Sequence, residues 1–441
     1  MLHRFLGQQK EHQGQLFFGG VSSIDLASEF GTPLYVLESD SIRQTIYNLS
    51  SVSKKHHPNS CIAYAAKANS SLRLLSLINE CGLDLDVASE GELEAGLRAG
   101  FHPSRMHLHG NFKSDNELRK AVQLKLEHVI IDNLSEIDRL EKICEDEAAS
   151  INVLLRVAPG IDPKTHEAIS TGQEDTKFGL NLSDGSAEKA LRKICSSKHL
   201  IFDGFHFHVG SQLLDAHAHE EAAKITAQFA IKHKEICGLP NILNVGGGLG
   251  IRYLPNDDVE PLDTFFSRII SAISNVYSSN SLKTPQIAYE FGRAIVGEAG
   301  TTLYKAGVIK IVPVQNKINT RAYISVDGGL SDNPRPQLYD AKYHVLNASR
   351  LNEKHDTPFR ISGKHCETDT LFSEVFLPKT TSEGDILAVQ CTGAYNQSMA
   401  SNYNRFPRPA MVMIENNQVV LATRRETFDE IFATEMEIPK L

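Results

Sequence analysis

The chain has 441 residues, 41% hydrophobic and 22% charged, with a formal net charge of −9. That composition describes an ordinary globular protein of two or three domains, and without a basic block it excludes a nucleic-acid footprint. The seven cysteines at 61, 81, 144, 195, 237, 366 and 391 are scattered and contain no CxxC pair, which argues against a zinc site or a disulfide scaffold. No apolar run approaches the ~18 residues of a membrane span. The opening "MLHRFLGQQKEHQG" turns polar too soon for a secretory leader, so a soluble cytoplasmic protein is expected.

In chain order, residues 15–37 ("QLFFGG…GTPLYVL") read as extended. From about 60 to 295 two textures alternate. Short β-branched runs are "CIAYAA", "LDLDVAS", "RMHLHG", "HVIIDN", "NVLLRVAP", "FDGFHFHVG", "NILNVGGG" and "QIAYEFG". Between them lie helical stretches such as "SLRLLSLINE", "DNELRKAVQL" and "LDTFFSRIISAISNVYSS". Strands alternating with helices predict a parallel sheet, and eight of them predict a closed (β/α)8 barrel. After about 300, "TTLYKAGVIKIVPVQ", "RAYISVDGG", "TPFRIS", "GDILAVQ" and "AMVMIENNQVVLATRR" read as strands. They predict an all-β domain of Greek-key or sandwich type that also takes in the N-terminal segment. The expected division is 1–36, 37–298 and 299–441.

Active sites of such barrels sit where the strands end. Reactive residue types collect there: Lys67, Asp86 and Ser89, His109, Asp132 and Asn133, Arg156, His206 and His208, Gly246 to Gly248, then Glu290 and Arg293. A lysine closing an apolar run is costly unless its amine reaches solvent or does chemistry. Three glycines after a strand let backbone N–H groups approach an anion. His206 and His208 share a side of their strand, where one can stack on a flat ligand. No local carboxylate spacing turns them into a metal site. An amine, a phosphate cradle, a ring stacker and a carboxylate together are the set that pyridoxal 5′-phosphate requires.

The ordered motifs "YAAKAN", "DVASEGELEAGLRAG", "HGNFKS", "GFHFHVGSQ", "NVGGGLGIRY", "YEFGRAIVG", "VDGGLSDNPRPQLYDAKYHV" and "TGAYNQSMASNYNRFPRPA" span nearly the whole chain. On these the sequence resembles the fold-type III pyridoxal-phosphate decarboxylases, and within them the diaminopimelate decarboxylase family. The resemblance implies decarboxylation of meso-2,6-diaminopimelate to L-lysine, the last step of lysine biosynthesis. The alternative is a related decarboxylase of ornithine, arginine or a secondary-pathway amino acid.

The resemblance also implies roles. Lys67 makes the covalent link to the cofactor aldehyde, and His208 stacks on its ring. Ser211 and Gly246, Gly247 and Gly248 hold the phosphate, and Glu290 meets the ring nitrogen. Arg293, Arg335 and Tyr339 grasp the substrate carboxylate, Arg293 also binds the cofactor, and Tyr395 touches cofactor and substrate. Cys366 donates a proton and Glu367 reads the distal amino group, both in the neighbouring subunit's site, so a homodimer with shared sites is implied. No metal is implied.

Two positions depart from the family pattern. "CETDT" stands for the usual "CESGD", and Phe291 replaces the proline of "EPGR". The first change touches the substrate-reading loop. An isomerase on the same barrel places arginine at the ring nitrogen, which Glu290 argues against. A non-catalytic carrier or regulatory relative is disfavoured because Lys67 and Cys366 are both present. The stretch around 165–180 is expected to form a flap.

Overall fold

The structure is a computed structural model and describes residues 4–161, 177–313, 320–368 and 370–436. Residues 165–176 of the stretch expected as a flap, and Asp369, lie outside the described residues. Two compact units are present. One comprises 45–251 and 258–295; the other comprises 1–44, 252–257 and 296–441.

The first unit is the barrel. Its strands are β1 (Ser60–Ala65), β2 (Asp84–Val87), β3 (Met106–Leu108), β4 (His128–Ile131), β5 (Ile151–Ala158), β6 (Leu200–His206), β7 (Ile242–Asn244) and β8 (Gln286–Phe291). Each pairs in parallel with the next, and β8 returns to β1 through pairs such as Glu290 with Ala63, so the sheet closes. All eight strands coincide with the β-branched runs of the sequence. Hydrophobic spacing and caps place the helices between them. Asp115–Leu124 starts on a capping box between Ser114 and Glu117, and Leu134–Asp146 starts on Asn133, whose side chain accepts from Glu136 N.

The second unit is β-rich. Its largest sheet is built around Gly300–Pro313, which pairs antiparallel with Leu34–Glu38, Thr320–Val326 and Ile386–Gln390. Leu34–Glu38 also pairs in parallel with Ala410–Glu415, so an N-terminal strand lies inside this sheet. The core gathers Leu34, Val36, Leu303, Ala388 and Val412 around Leu16 and Phe18.

One expectation is corrected. Residues 23–30 are helical rather than extended, because Ser22 accepts from Ile24 N and Asp25 N and so starts a helix that Gly31 ends. The run 410–425 is a hairpin of two strands, turned at Asn416 and Asn417, both with positive φ. Among the scattered cysteines, Cys195 and Cys237 lie side by side with Cα atoms 5.7 Å apart, a spacing that a disulfide can span. They are 42 residues apart in sequence and close the helices that precede β6 and β7, so only the winding of the barrel joins them. Among the described residues, no helix is long and apolar enough to cross a membrane.

Candidate active site

In the barrel unit the rim residues are positioned by strand ends. Lys67 sits on a single 3-10 turn, Ala66–Ala68, directly after β1. Ala66 and Ala68 are fully buried and anchor the turn, while Lys67 itself is exposed. The burial conflict posed by the sequence is therefore resolved by turning the cation out of the sheet.

β7 ends in the glycine turn. Gly246 and Gly248 have φ of +71° and +117°, and a Cβ on Gly247 would lie 2.0 Å from Glu290 O. Cβ atoms on the two flanking glycines would lie 2.4 Å from Phe207 O and Gly210 O. Only glycine allows these three backbone segments to meet. Two side chains brace the turn: Gly246 N donates to Asn244 Oδ1 at 2.9 Å, and His219 Nε2 donates to Gly247 O at 2.9 Å. Sequence reading missed His219. Its trace was a histidine among the alanines on the buried face of the helix His217–Lys232. Burial pushes its pKa down to about 4, so it serves as a neutral donor.

Glu290, near the end of β8, is held from several sides. Asn244 Nδ2 donates to Oε1 at 2.7 Å, and His206 Nε2 donates to Oε2 at 3.1 Å. His109 Nε2 lies 3.3 Å from Oε1 and 3.6 Å from Asp86 Oδ1. Burial pushes the Glu290 carboxyl up, but the imidazoles of His206 and His109 outweigh it and hold it well below the usual carboxylate range. His206, pushed to about 4 by burial, serves as a neutral N–H donor. For His109, burial works downward, but Glu290 and Asp86 outweigh it and raise the pKa to about 9. His109 thus carries the cation of the group. Burial, followed by repulsion from Glu290, raises Asp86 to about 6.

The ligand atoms of His109, His206 and Glu290 lie within 4.8 Å of one another, a metal-competent set that sequence spacing did not reveal. Within that set, Glu290 contacts His206 at 3.1 Å and His109 at 3.3 Å.

His109 makes a pH prediction. A histidine raised in the fold stabilises it fully below its unfolded value near 6.5, and that contribution fades as pH rises through about 9. Unfolding free energy of cofactor-free protein should therefore fall between pH 6.5 and 9, and His109→Gln should flatten that limb. Urea titrations at pH 6, 7.5 and 9 measure it; equal alkaline slopes in both proteins would refute the assignment.

The remaining expected barrel residues are also placed. His208 follows β6, and burial and then the charge of Lys67 push its pKa well down, leaving a neutral ring suited to stacking. Arg293 begins the short helix after β8 and donates from Nη2 to Ser211 Oγ at 2.9 Å.

The β unit carries two further groups. Arg335 is buried, and its guanidinium carbon lies 5.6 Å from the ring centroid of Tyr253, 5.9 Å from Tyr339 and 5.6 Å from Tyr395. Tyr253 was not anticipated, because it lies between barrel elements in sequence yet belongs to this unit. Cys366 and Glu367 are exposed in a separate loop. There Cys366 N donates to Asn404 Oδ1 at 3.5 Å, and Glu367 Oε1 accepts from the Tyr403 hydroxyl at 2.5 Å.

Residues 43–297 match the family model described as "Pyridoxal-dependent decarboxylase, pyridoxal binding domain". The chain is 43% identical over 426 residues to the diaminopimelate decarboxylase of Bacillus subtilis (strain 168), covering 96% of this chain and 95% of that one. The chain belongs to the diaminopimelate decarboxylase family of pyridoxal-dependent decarboxylases. To the Mycobacterium tuberculosis (strain ATCC 25618 / H37Rv) relative of the same name it is 37% identical, covering 97% and 96%. The crystal structure of diaminopimelate decarboxylase from M. jannaschii matches with a TM-score of 0.91 at 30% identity, covering 98% of both chains. As a family member the protein is a decarboxylase, and its architecture is the family's barrel with a β-rich domain.

The residues present fit the family's cofactor. The glycine turn has no room for a Cβ, and Glu290 is held ionised at a strand end. Asp86 adds two buried carboxylate oxygens without a hydrogen-bond partner among the described residues.

Proposed function

We propose that this protein decarboxylates meso-2,6-diaminopimelate to L-lysine with pyridoxal 5′-phosphate. When bound, that cofactor supplies the electron sink for the charge left behind as CO₂ departs. Lys67 is its covalent anchor, at a turn fixed by buried alanines. The backbone of Gly246–Gly248, with Ser211 and Arg293, receives the phosphate. Glu290 keeps a proton on the ring nitrogen, because His109 supplies the charge and Asn244 the hydrogen bond that maintain its carboxylate. His208 offers a neutral ring face.

The observation that carries the substrate is the chemistry of the β unit. Arg335, buried and surrounded by Tyr253, Tyr339 and Tyr395, is a rigid fork for a carboxylate. Glu367 is an anion for an ammonium, and Cys366 beside it is the proton donor of this reading. A molecule with an amino group and a carboxylate at its far end satisfies both. The relatives named diaminopimelate decarboxylase agree with that choice.

The reading includes a homodimer with shared sites. In support, Leu338, Tyr339 and Phe376 are exposed on a helix and a strand that Gln337 joins through Thr370 O at 3.1 Å. The "CETDT" loop supports a second reading, decarboxylation of another amino acid such as ornithine, arginine or a secondary-pathway amino acid.

CO₂ release from meso-diaminopimelate, ornithine, arginine and lysine separates the two readings. Substrates without the distal carboxylate leave Arg335 unpaired, so their kcat/KM should be lower by on the order of 10⁴. Comparable turnover of ornithine would refute the assignment.

A further inference from the structure

Glu367 is exposed, yet it is not a loose surface carboxylate. The Tyr403 hydroxyl donates to its Oε1 at 2.5 Å, the partner this carboxylate has among the described residues. The Tyr403 ring is itself held: it stacks on His365 with centroids 5.7 Å apart and planes 13° apart. His365 is buried, packs edge-on against Phe406 at 5.0 Å, and accepts from Ser331 N at 3.3 Å. Lys364 Nζ lies 4.2 Å from the Phe406 ring centroid, so the nearest lysine in sequence is directed to an aromatic face.

The clasping turn is equally constrained. Asn404 and Arg405 both have positive φ, at 53° and 59°. Asn402 Nδ2 donates to Phe406 O at 3.1 Å and to Glu426 Oε2 at 2.6 Å. Asn404 reaches back to Cys366 N. Turn 402–406 and segment 364–367 thus form one clamp, assembled entirely within the β unit.

We propose that Tyr403 is a positioning residue for substrate specificity, orienting Glu367 toward the distal ammonium of the substrate. This rests on the function proposed above and names a residue that the sequence motifs left without a role. The physical reason lies in the kind of partner. A lysine or arginine at this place would orient the carboxylate but cancel its charge. A phenol hydroxyl fixes one oxygen and leaves the full negative charge for a cation at the other. The adjacent carboxylate raises the Tyr403 pKa, which keeps the phenol a donor. Pre-orienting a long acidic side chain also removes an ordering cost from binding.

The test uses holoenzyme, wild type and Tyr403→Phe, with meso-diaminopimelate as substrate and 2-aminopimelate, which lacks the distal amino group, as competitive inhibitor. Phenylalanine keeps the stacking on His365, so a purely structural role predicts no change. The expected result is a KM for diaminopimelate raised roughly tenfold with kcat within about threefold, and a 2-aminopimelate Ki changed less than about twofold. In a Glu367→Gln background, adding Tyr403→Phe should change KM no further. Unchanged KM in the single variant, a Ki that rises in parallel, or additive effects in the double variant would each overturn the proposal. Wild-type enzyme inert toward diaminopimelate would overturn the underlying function, and this inference with it.

Discussion

Lys67→Ala should reduce decarboxylation below detection while leaving the fold unchanged. The lysine projects from the 3-10 turn Ala66–Ala68, whose flanking alanines are buried, so the anchors of the turn are kept when residue 67 is replaced. The glycine turn and Glu290 depend on Asn244, His206, His109 and His219 rather than on Lys67. The variant should therefore still bind the cofactor through its phosphate and ring, but without a covalent link. Borohydride reduction followed by peptide mapping should tag the peptide containing residue 67 in wild type and nothing in the variant. Far-ultraviolet circular dichroism should overlay. Retained turnover, or reductive tagging at another lysine, would show that the anchor lies elsewhere.

Lys113→Ala should strongly destabilise the barrel, for a reason unconnected with substrate. Lys113 and Glu136 are fully buried, at 1% and 0% side-chain exposure, and pair at 2.7 Å. Lys113 Nζ also donates to Gly110 O at 2.8 Å and Ile130 O at 2.7 Å, tying the loop after β3 to β4. Burial pushes the lysine pKa down and the glutamate pKa up, so each depends on the other to remain charged. Removing one partner strands the other in a dry site, at a cost of about 3–5 kcal/mol. Replacing both, as Lys113→Met with Glu136→Leu, removes the stranded charge and should recover most of that loss. Thermal or urea unfolding of the two variants measures the difference. A single variant as stable as wild type would show that the pair is not the brace described.

The same loop carries His109, which explains why a buried ion pair stands beside the site. Sequence reading passed over Lys113 because "HGNFKS" offers a lysine in a polar turn, normally a solvated position. Its partner lies 23 residues downstream on the buried face of a helix, where a glutamate reads as surface. His219, Tyr253 and Tyr403 escaped for related reasons. Each acts through a partner that is remote in sequence, and only His219 leaves a local trace, a histidine on an alanine-rich helix face. Residues 23–30 resemble a strand in a linear reading because an eight-residue helix shows too few turns for its period to stand out until its serine cap is weighed.

The sequence by itself determined the eight parallel strands, the β-rich second unit and the reactive residues at the strand ends. Strand runs, helix caps and glycine turns are governed by residues within a few positions of one another, so their signals survive in a linear reading. What the tertiary structure alone decided is how those residues are tuned. Asn244, His206 and His109 converge on Glu290 from three separate strand ends, Tyr403 secures Glu367, and Cys195 meets Cys237. Those contacts arise only when the sheet closes and distant turns fold back. Charge state and orientation depend on neighbours in space, and burial multiplies their effect by removing the water that would otherwise screen them.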